Sequence, residues 1–249
     1  MTPIVLIPAR MAASRLPGKP LADIEGAPMI VRVLRCALEA GVGEVAVAAG
    51  DAEIVKAVER AGGRAVLTDP ALASGSDRIV AALDLLDPDG RCDIVINLQG
   101  DMPFAPPSLL RACLEVLRTV GDCDIATLVA PESSRADRAN PDVVKAVLAM
   151  AAGAEAARAL YFTRSTLYGD APVWRHIGVY AYRRAALARF TAAPASPLER
   201  LERLEQLRAL EIGLTIWAGV AARAPICVDT PADLEAARAH ARALGARAK

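Results

Sequence analysis

Arg10, Arg15 and Lys19 share one stretch, Ile7-Pro8-Ala9-Arg10-Met11-Ala12-Ala13-Ser14-Arg15-Leu16-Pro17-Gly18-Lys19-Pro20-Leu21, and no acid stands between them. Like charges this close repel unless an anion neutralises them. Arginine offers forked donors to phosphate oxygens and lysine a compact point charge, while Gly18 lets the backbone approach a ligand closely. The stretch follows the apolar run Ile4–Ile7, and ligands of open α/β sheets collect beyond the carboxyl ends of strands. The chemistry on offer is phosphate binding. The plainer alternative, a solvated basic loop, is disfavoured by that position. The pattern is neither a Walker A nor a Gly-x-Gly-x-x-Gly sequence, which counts against an ATPase or a dehydrogenase.

Two acids could complement these cations. In Ile94-Val95-Ile96-Asn97-Leu98-Gln99-Gly100-Asp101 an apolar run ends in a Gly-Asp turn. A carboxylate there can hold a hard cation among substrate phosphates, although an ordinary turn explains the residues equally well. In Ile226-Cys227-Val228-Asp229-Thr230-Pro231, Asp229 again ends an apolar run before a helix. Asp229 or Thr230 could simply be the N-cap. Two acids at strand ends can share Mg²⁺, but spacing alone does not bring Asp101 and Asp229 together.

The elements that must position these groups alternate in type. Short apolar runs at Ile4–Ile7, Glu44–Ala48, Ala65–Leu67 and Asp93–Leu98 read as strands. Between and after them Met29–Ala40, Ala52–Ala61, Ser76–Leu86 and Pro107–Val120 read as helices, with Gly41 and Gly62-Gly63 as stop signals. That rhythm predicts an α/β fold with a mostly parallel sheet and helices on both faces. From about Asp124 it loosens. Ile125–Val129, Val143–Leu148, His176–Tyr182 and Leu214–Ala218 read as strands, and Pro197–Leu210 and Pro231–Leu244 as helices. The Ala-Gly stretch Ala151–Ala157 is adequately read as helical.

Composition bounds the function classes. A chain of 249 residues suits one large domain, and 54% hydrophobic residues with only 4% aromatics imply a core of Ala, Val, Leu and Ile. Lys plus Arg and Asp plus Glu both number 29, so no global field attracts nucleic acid or a membrane surface, and any anion site is local. Five dispersed cysteines read as reduced thiols of a cytoplasmic protein. With only His176 and His240, a histidine-based metal site is nearly excluded. The N-terminus lacks the basic leader and apolar run of a signal peptide, and no apolar stretch is long enough to span a membrane.

Several further stretches, in this order, carry a resemblance. They are Ser74-Gly75-Ser76-Asp77-Arg78, Asn97–Pro103, Asn140-Pro141-Asp142-Val143-Val144-Lys145, Tyr161-Phe162-Thr163-Arg164-Ser165, Arg175-His176-Ile177-Gly178-Val179-Tyr180, Ser196-Pro197-Leu198-Glu199, Leu204-Glu205-Gln206-Leu207-Arg208 and Val228–Leu234. With Ile7–Leu21 they cover nearly the whole chain, which resembles the CMP-KDO synthetases (3-deoxy-manno-octulosonate cytidylyltransferases). The N-terminal motif alone would indicate only the wider sugar nucleotidyltransferases. The His-Ile-Gly-x-Tyr and Leu-Glu-Gln-Leu-Arg stretches point to KDO rather than sialic acid.

The resemblance implies a Rossmann-like nucleotidyltransferase fold, a mostly parallel mixed sheet flanked by helices with a smaller sugar-binding and dimerisation subregion. Residues 1–249 would form one domain, with 1–123 the nucleotide-binding half, 124–225 the sugar-binding and dimerisation region, and 226–249 returning to the active site. It implies transfer of CMP from CTP to the anomeric hydroxyl of KDO with release of pyrophosphate, a step of lipopolysaccharide biosynthesis, in a cytoplasmic homodimer without nucleic-acid or membrane partners. Pro8, Ala9, Arg10, Ser14, Arg15 and Lys19 would hold the CTP phosphates. Ser74, Arg78 and Gln99 would lie around nucleotide and sugar, and Asp101 and Asp229 would bind Mg²⁺. Lys19, Arg15, Asp101 and Asp229 would be the catalytic set. Arg164, Tyr180, Glu205 and Gln206, with His176 nearby, would form the sugar-acid pocket. Read without the family, His176 and Tyr180 could equally be core residues, and Glu205 and Arg208 an i,i+3 surface pair.

The chain departs from the family pattern at Val47-Ala48-Ala49-Gly50, where a Thr-Asp pair is usual, so that the acid is displaced to Asp51 or absent. It departs again at Met102, where Glu is usual after Gly-Asp, and in a short stretch between Tyr168 and His176. Two alternatives remain: a cytidylyltransferase for a related ulosonic acid, of the amino-KDO or sialic acid type, and a silent nucleotide-binding regulator, which would not need both acids.

Overall fold

The computed structural model describes residues 2–12, 15–132, 134–169 and 171–247. In chain order, β1 (Pro3–Ala9), β2 (Asp23–Ile24), β3 (Ala27–Pro28), α1 (Met29–Ala40), β4 (Glu44–Ala49), α2 (Ala52–Arg60), β5 (Ala65–Leu67) and α3 (Gly75–Leu86) come first. Next come β6 (Ile94–Leu98), α4 (Pro107–Thr119), β7 (Ile125–Glu132), α5 (Arg135–Ala139), β8 (Lys145–Leu148), β9 (Ala156–Thr163) and β10 (Val173–Arg183). The chain ends with α6 (Arg184–Ala192), α7 (Pro197–Glu202), α8 (Gln206–Glu211), β11 (Ile216–Val220) and α9 (Pro231–Arg247). Two compact units result. One comprises Met1–Cys92, Asn97–Pro107 and Pro225–Lys249, the other Asp93–Ile96 and Ser108–Ala224.

In the first unit β1 pairs in parallel with β4, from Ile4 opposite Glu44 to Ala9 opposite Ala49, and β4 pairs in parallel with β5. Ile4 to Ile7 are all buried, as a strand covered on both faces must be. Parallel strands need long crossovers, and here helices supply them. On α1, Met29, Ile30, Val33, Leu34 and Ala37 recur at helical spacing and are buried, and the helix stops at Gly41 in the left-handed conformation. α3 opens with a reciprocal capping box between Ser74 and Asp77. A cluster of Ile24, Met29, Val228, Leu234, Ala237 and Ala241 joins α9 to the β2–β3 hairpin and α1, and Leu16 packs against it. The C-terminal helix thereby anchors the loop that carries Arg15 and Lys19.

In the second unit β7 pairs antiparallel with β10 and parallel with β11, β11 pairs with β9, β9 with β8, and β8 returns to β10 at Trp174 and Arg175. The five strands close a ring. Along β10 the register slips by two residues between Ile177 and Tyr180. Because the slip is even, His176 and Tyr180, opposite Val129 and Thr127, stay on one face.

Most element boundaries agree with the sequence reading to within a residue or three, and two readings are corrected. Pro197–Leu210 is two helices, because Arg203 takes a left-handed φ of 56° and Leu204 N donates back to the Glu199 carbonyl. Ala151–Ala157 is not helical: Gly153 is left-handed, Ala154 N closes a turn on Ala151, and Ala156 already pairs with Gly219 of β11. Pairing in the ring outweighs the helix propensity of alanine there. Among the described residues no helix is long and apolar enough to cross a membrane, and the five cysteines are free thiols.

Candidate functional site

The residues expected to bind phosphate lie at and beyond the end of β1. Gly18, at φ 71°, turns the chain through the left-handed region into a single 3₁₀ turn, Lys19–Leu21. Gly18 N donates to the Met11 carbonyl and closes the loop. At the loop's other side Met11 N donates to an Asp51 carboxylate oxygen at 2.7 Å, and Gly50 N to the Ala9 carbonyl at 2.8 Å. The acid displaced from the family pattern therefore fastens the loop. Sequence reasoning missed that role; the one available signal was an acid in the turn that opens α2.

Lys19 is the centre of the site. Its Nζ donates to Asp101 Oδ2 at 3.1 Å, to Asp229 Oδ1 at 3.0 Å and to the Val228 carbonyl at 3.0 Å. An ammonium has three donors, and all three are engaged. Arg15 Nη2 lies 3.4 Å from the other Asp229 oxygen, Oδ2. The two acids are brought together by a backbone bond beside them, Val228 N to the Asp101 carbonyl at 2.9 Å. Thr230, not Asp229, caps α9. Its hydroxyl accepts from Asp233 N at 3.2 Å, while the Asp233 carboxylate accepts from Asp229 N and Thr230 N. The Asp229 carboxylate is thus left for cations.

Electrostatics follow from this arrangement. Burial alone would lower the Lys19 pKa, but the attraction of Asp101 and Asp229 outweighs it and holds the ammonium above its ordinary value. Burial raises the Asp101 pKa; Lys19 opposes that shift and the like charge of Asp229 adds to it.

Pro8, Ala9, Arg10, Ala12, Arg15, Leu16, Lys19, Pro20, Gln99, Gly100, Asp101 and Asp229 line a cavity of about 380 Å³. A smaller one, of about 130 Å³, is lined by Pro8, Ala9, Arg10, Ser74, Gly75, Arg78 and Gln99. The structure therefore gathers every described nucleotide-site residue expected from the sequence into these two cavities; Ser14 lies outside the described residues. Two of the side chains are already engaged. The Ser74 hydroxyl donates to Asp77 as it caps α3, and Arg78 Nη1 donates to Thr68 Oγ1 at 2.7 Å and to the Asp69 carbonyl at 3.1 Å. A Cβ at position 50 would lie 2.7 Å from Arg78 Nη1, so glycine there is what lets Arg78 take this place.

Of the residues expected at the sugar acid, Gln99 lies in the first unit and lines both cavities, while Arg164, His176, Tyr180, Glu205 and Gln206 belong to the second unit. Arg164 is tied down: its backbone N donates to a Glu202 carboxylate oxygen, its Nε to the Glu202 carbonyl and its Nη1 to the Pro141 carbonyl. The fully buried Lys145 donates to the carbonyls of Asn140, Val143 and Arg164, a clamp that sequence reasoning did not single out. His176 packs edge-on against Phe162 and beside Tyr180. The Thr127 hydroxyl donates to the Val179 carbonyl at 2.8 Å, and His176 Nε2 lies 2.9 Å from Thr127 Oγ1. Burial pushes the His176 pKa down to about 3, so the ring is neutral, and burial likewise raises the Tyr180 pKa. Glu205 makes the i,i+3 pair with Arg208, though Arg208 is buried rather than on the surface and also pairs with Glu199. Gln206 is buried at the start of α8.

Two carboxylate oxygens aimed at one point that already holds an ammonium form a hard, all-oxygen donor set of the kind Mg²⁺ takes. Among the described residues no third acidic, His or Cys side chain completes a metal cluster. Water and substrate phosphates would have to supply the remaining ligands, which is how Mg²⁺ is usually held.

Comparison with known proteins places this geometry. The cytidylyltransferase family model matches residues 4–216. The chain is 57% identical to the 3-deoxy-manno-octulosonate cytidylyltransferase of Parvibaculum lavamentivorans, over 95% of this chain and 92% of that one. It is also 57% identical to that of Rhodospirillum centenum, with the same coverage. A solved structure of CMP:2-keto-3-deoxy-manno-octonic acid synthetase complexed with CTP superposes with a TM-score of 0.88 at 40% identity, covering 97% of this chain and 99% of that one. With family match, relatives and fold in agreement along nearly its whole length, this chain belongs to the cytidylyltransferase family, among the 3-deoxy-manno-octulosonate cytidylyltransferases.

Proposed function

We propose that this chain transfers CMP from CTP to the anomeric hydroxyl of 3-deoxy-manno-octulosonate and releases pyrophosphate. The observation that carries the proposal is the meeting of Lys19, Asp101 and Asp229 in a cavity that Arg10 and Arg15 also line. An anionic sugar must approach a highly anionic triphosphate. Arg10, Arg15 and Lys19 hold the phosphates and offset that repulsion, and they stabilise charge building on the leaving pyrophosphate. Asp101 and Asp229 would hold Mg²⁺, which when bound supplies further charge neutralisation and lowers the pKa of the attacking hydroxyl. The smaller cavity of Ser74, Gly75, Arg78 and Gln99 receives the nucleoside end. In the second unit Arg164, His176, Tyr180, Glu205 and Gln206 serve the sugar acid. The reaction is an in-line displacement that rests on positioning and needs no covalent enzyme intermediate.

The protein acts as a cytoplasmic homodimer in this reading. Five free thiols support the compartment. The exposed Leu160 on β9 and Leu201 on α7 offer apolar surface in the region expected to pair, and sedimentation of the pure protein tests the dimer. Pyrophosphate release measured with CTP, UTP, ATP and GTP against a panel of sugar acids tests the activity. Release with CTP and KDO is expected. Equal release with other nucleotides, or release only with sialic acid or an amino-substituted KDO, contradicts the substrate assignment.

A further inference from the structure

Two of the three cations of the phosphate loop, Lys19 and Arg15, already have acidic partners within the protein. All three donors of Lys19 are engaged by Asp101, Asp229 and the Val228 carbonyl, and Arg15 lies against the second oxygen of Asp229. The repulsion between Lys19 and Arg15 is therefore relieved inside the protein, by the same two acids that would take a metal. Lys19 cannot donate to a phosphate from this position, and a divalent cation between the two acids would displace its ammonium.

We infer that Lys19 is a resident counter-ion of the metal site, and that it exchanges from the two acids to the substrate phosphates as the metal–nucleotide enters. Without nucleotide, a divalent cation must evict an ammonium from the two carboxylates that balance its charge. With nucleotide, the phosphates receive Lys19 and the acids become available. Metal and triphosphate then bind with positive coupling, and the site discriminates against free metal ions. This inference rests on the reading of Asp101 and Asp229 as the metal-holding pair.

Mn²⁺ binding, followed by the electron paramagnetic resonance of the free ion, tests it without any turnover. Wild type is expected to bind Mn²⁺ weakly in the absence of nucleotide. Lys19→Met is expected to bind it at least about tenfold more tightly, because an attraction between adjacent opposite charges has been removed from the competing state. Lys19→Gln serves the same purpose if the methionine variant does not fold. Tight nucleotide-free binding by wild type overturns the inference, and that arm needs no variant. No gain in the Lys19 variants, while Asp101→Asn still abolishes protein-bound Mn²⁺ in the presence of CTP, overturns the exchange and leaves the metal reading intact. If Asp101→Asn leaves Mn²⁺ binding with CTP unchanged, the metal reading fails and the exchange fails with it.

Discussion

In the proposed mechanism Lys19 and Asp101 are the side chains on which the chemistry depends most heavily. Replacing a group that stabilises transition-state charge costs about 10²–10³-fold in rate. Lys19→Ala and Asp101→Asn are each expected to fall at least that far in kcat at saturating Mg²⁺; near-normal turnover in either removes that residue from the mechanism. Gly50 makes a different prediction. A methyl group there meets Arg78, which is fixed by Thr68 and two carbonyls. Gly50→Ala is therefore expected to destabilise the protein by about 1–3 kcal/mol through overpacking and to raise KM for CTP, because Arg78 lines the smaller cavity. Unchanged urea midpoint and KM would show that Arg78 moves aside freely. Much of the site was legible at this scale. Arg10, Arg15, Lys19, Asp101 and Asp229 stood out because residue type and position at strand ends limit what they can do. Their mutual engagement was not legible, since Asp101 and Asp229 lie 128 positions apart in sequence and only folding makes the Val228–Asp101 backbone bond.

Among the elements, α9 shows how an ordinary cap leaves a carboxylate free for the proposed chemistry. Thr230 and Asp233 cap each other's backbone, so Asp229 keeps its carboxylate for cations. Thr230→Ala removes an N-cap and is expected to cost about 1 kcal/mol. It is also expected to lower kcat, because Asp229 N is held by the same Asp233 carboxylate. A loss of stability with kcat unchanged would mean that Asp229 is placed by the Lys19 and Arg15 contacts alone. The sequence reading ran well through the first parallel strands and their helices, where each element shows its own periodicity and stop signal. It ran less well in the second unit. The sequence carries no clear signal for β9, and the alanines at its start favour helix. Burial alternates along β9, but its exposed Leu160 is as apolar as the buried Ala159 and Phe162, so the alternation is blurred in the sequence. The break in Pro197–Leu210 was equally hidden, because Arg203 adopts a left-handed conformation that its side chain does not favour.

For the molecule as a whole, His176 ties folding to pH. Its pKa is about 3 in the folded state, against an ordinary value near 6.5. Between those values the unfolded chain binds a proton that the folded chain refuses, so the contribution to stability is fully present above about pH 6.5 and is lost as pH falls towards 3. The slope from this group is at most about 1.4 kcal/mol per pH unit. Urea midpoints at pH 7 and pH 5 are expected to differ less in His176→Asn than in wild type; identical differences would place the acid sensitivity elsewhere. The central claim concerns the whole reaction: the bond broken is the one between the α-phosphate of CTP and its pyrophosphate. Phosphorus-31 magnetic resonance of protein, CTP, KDO and Mg²⁺ reads this directly. The expected result is pyrophosphate and a CMP–sugar phosphodiester appearing in equal amounts. CTP left unchanged, or converted to CDP and inorganic phosphate, would contradict it.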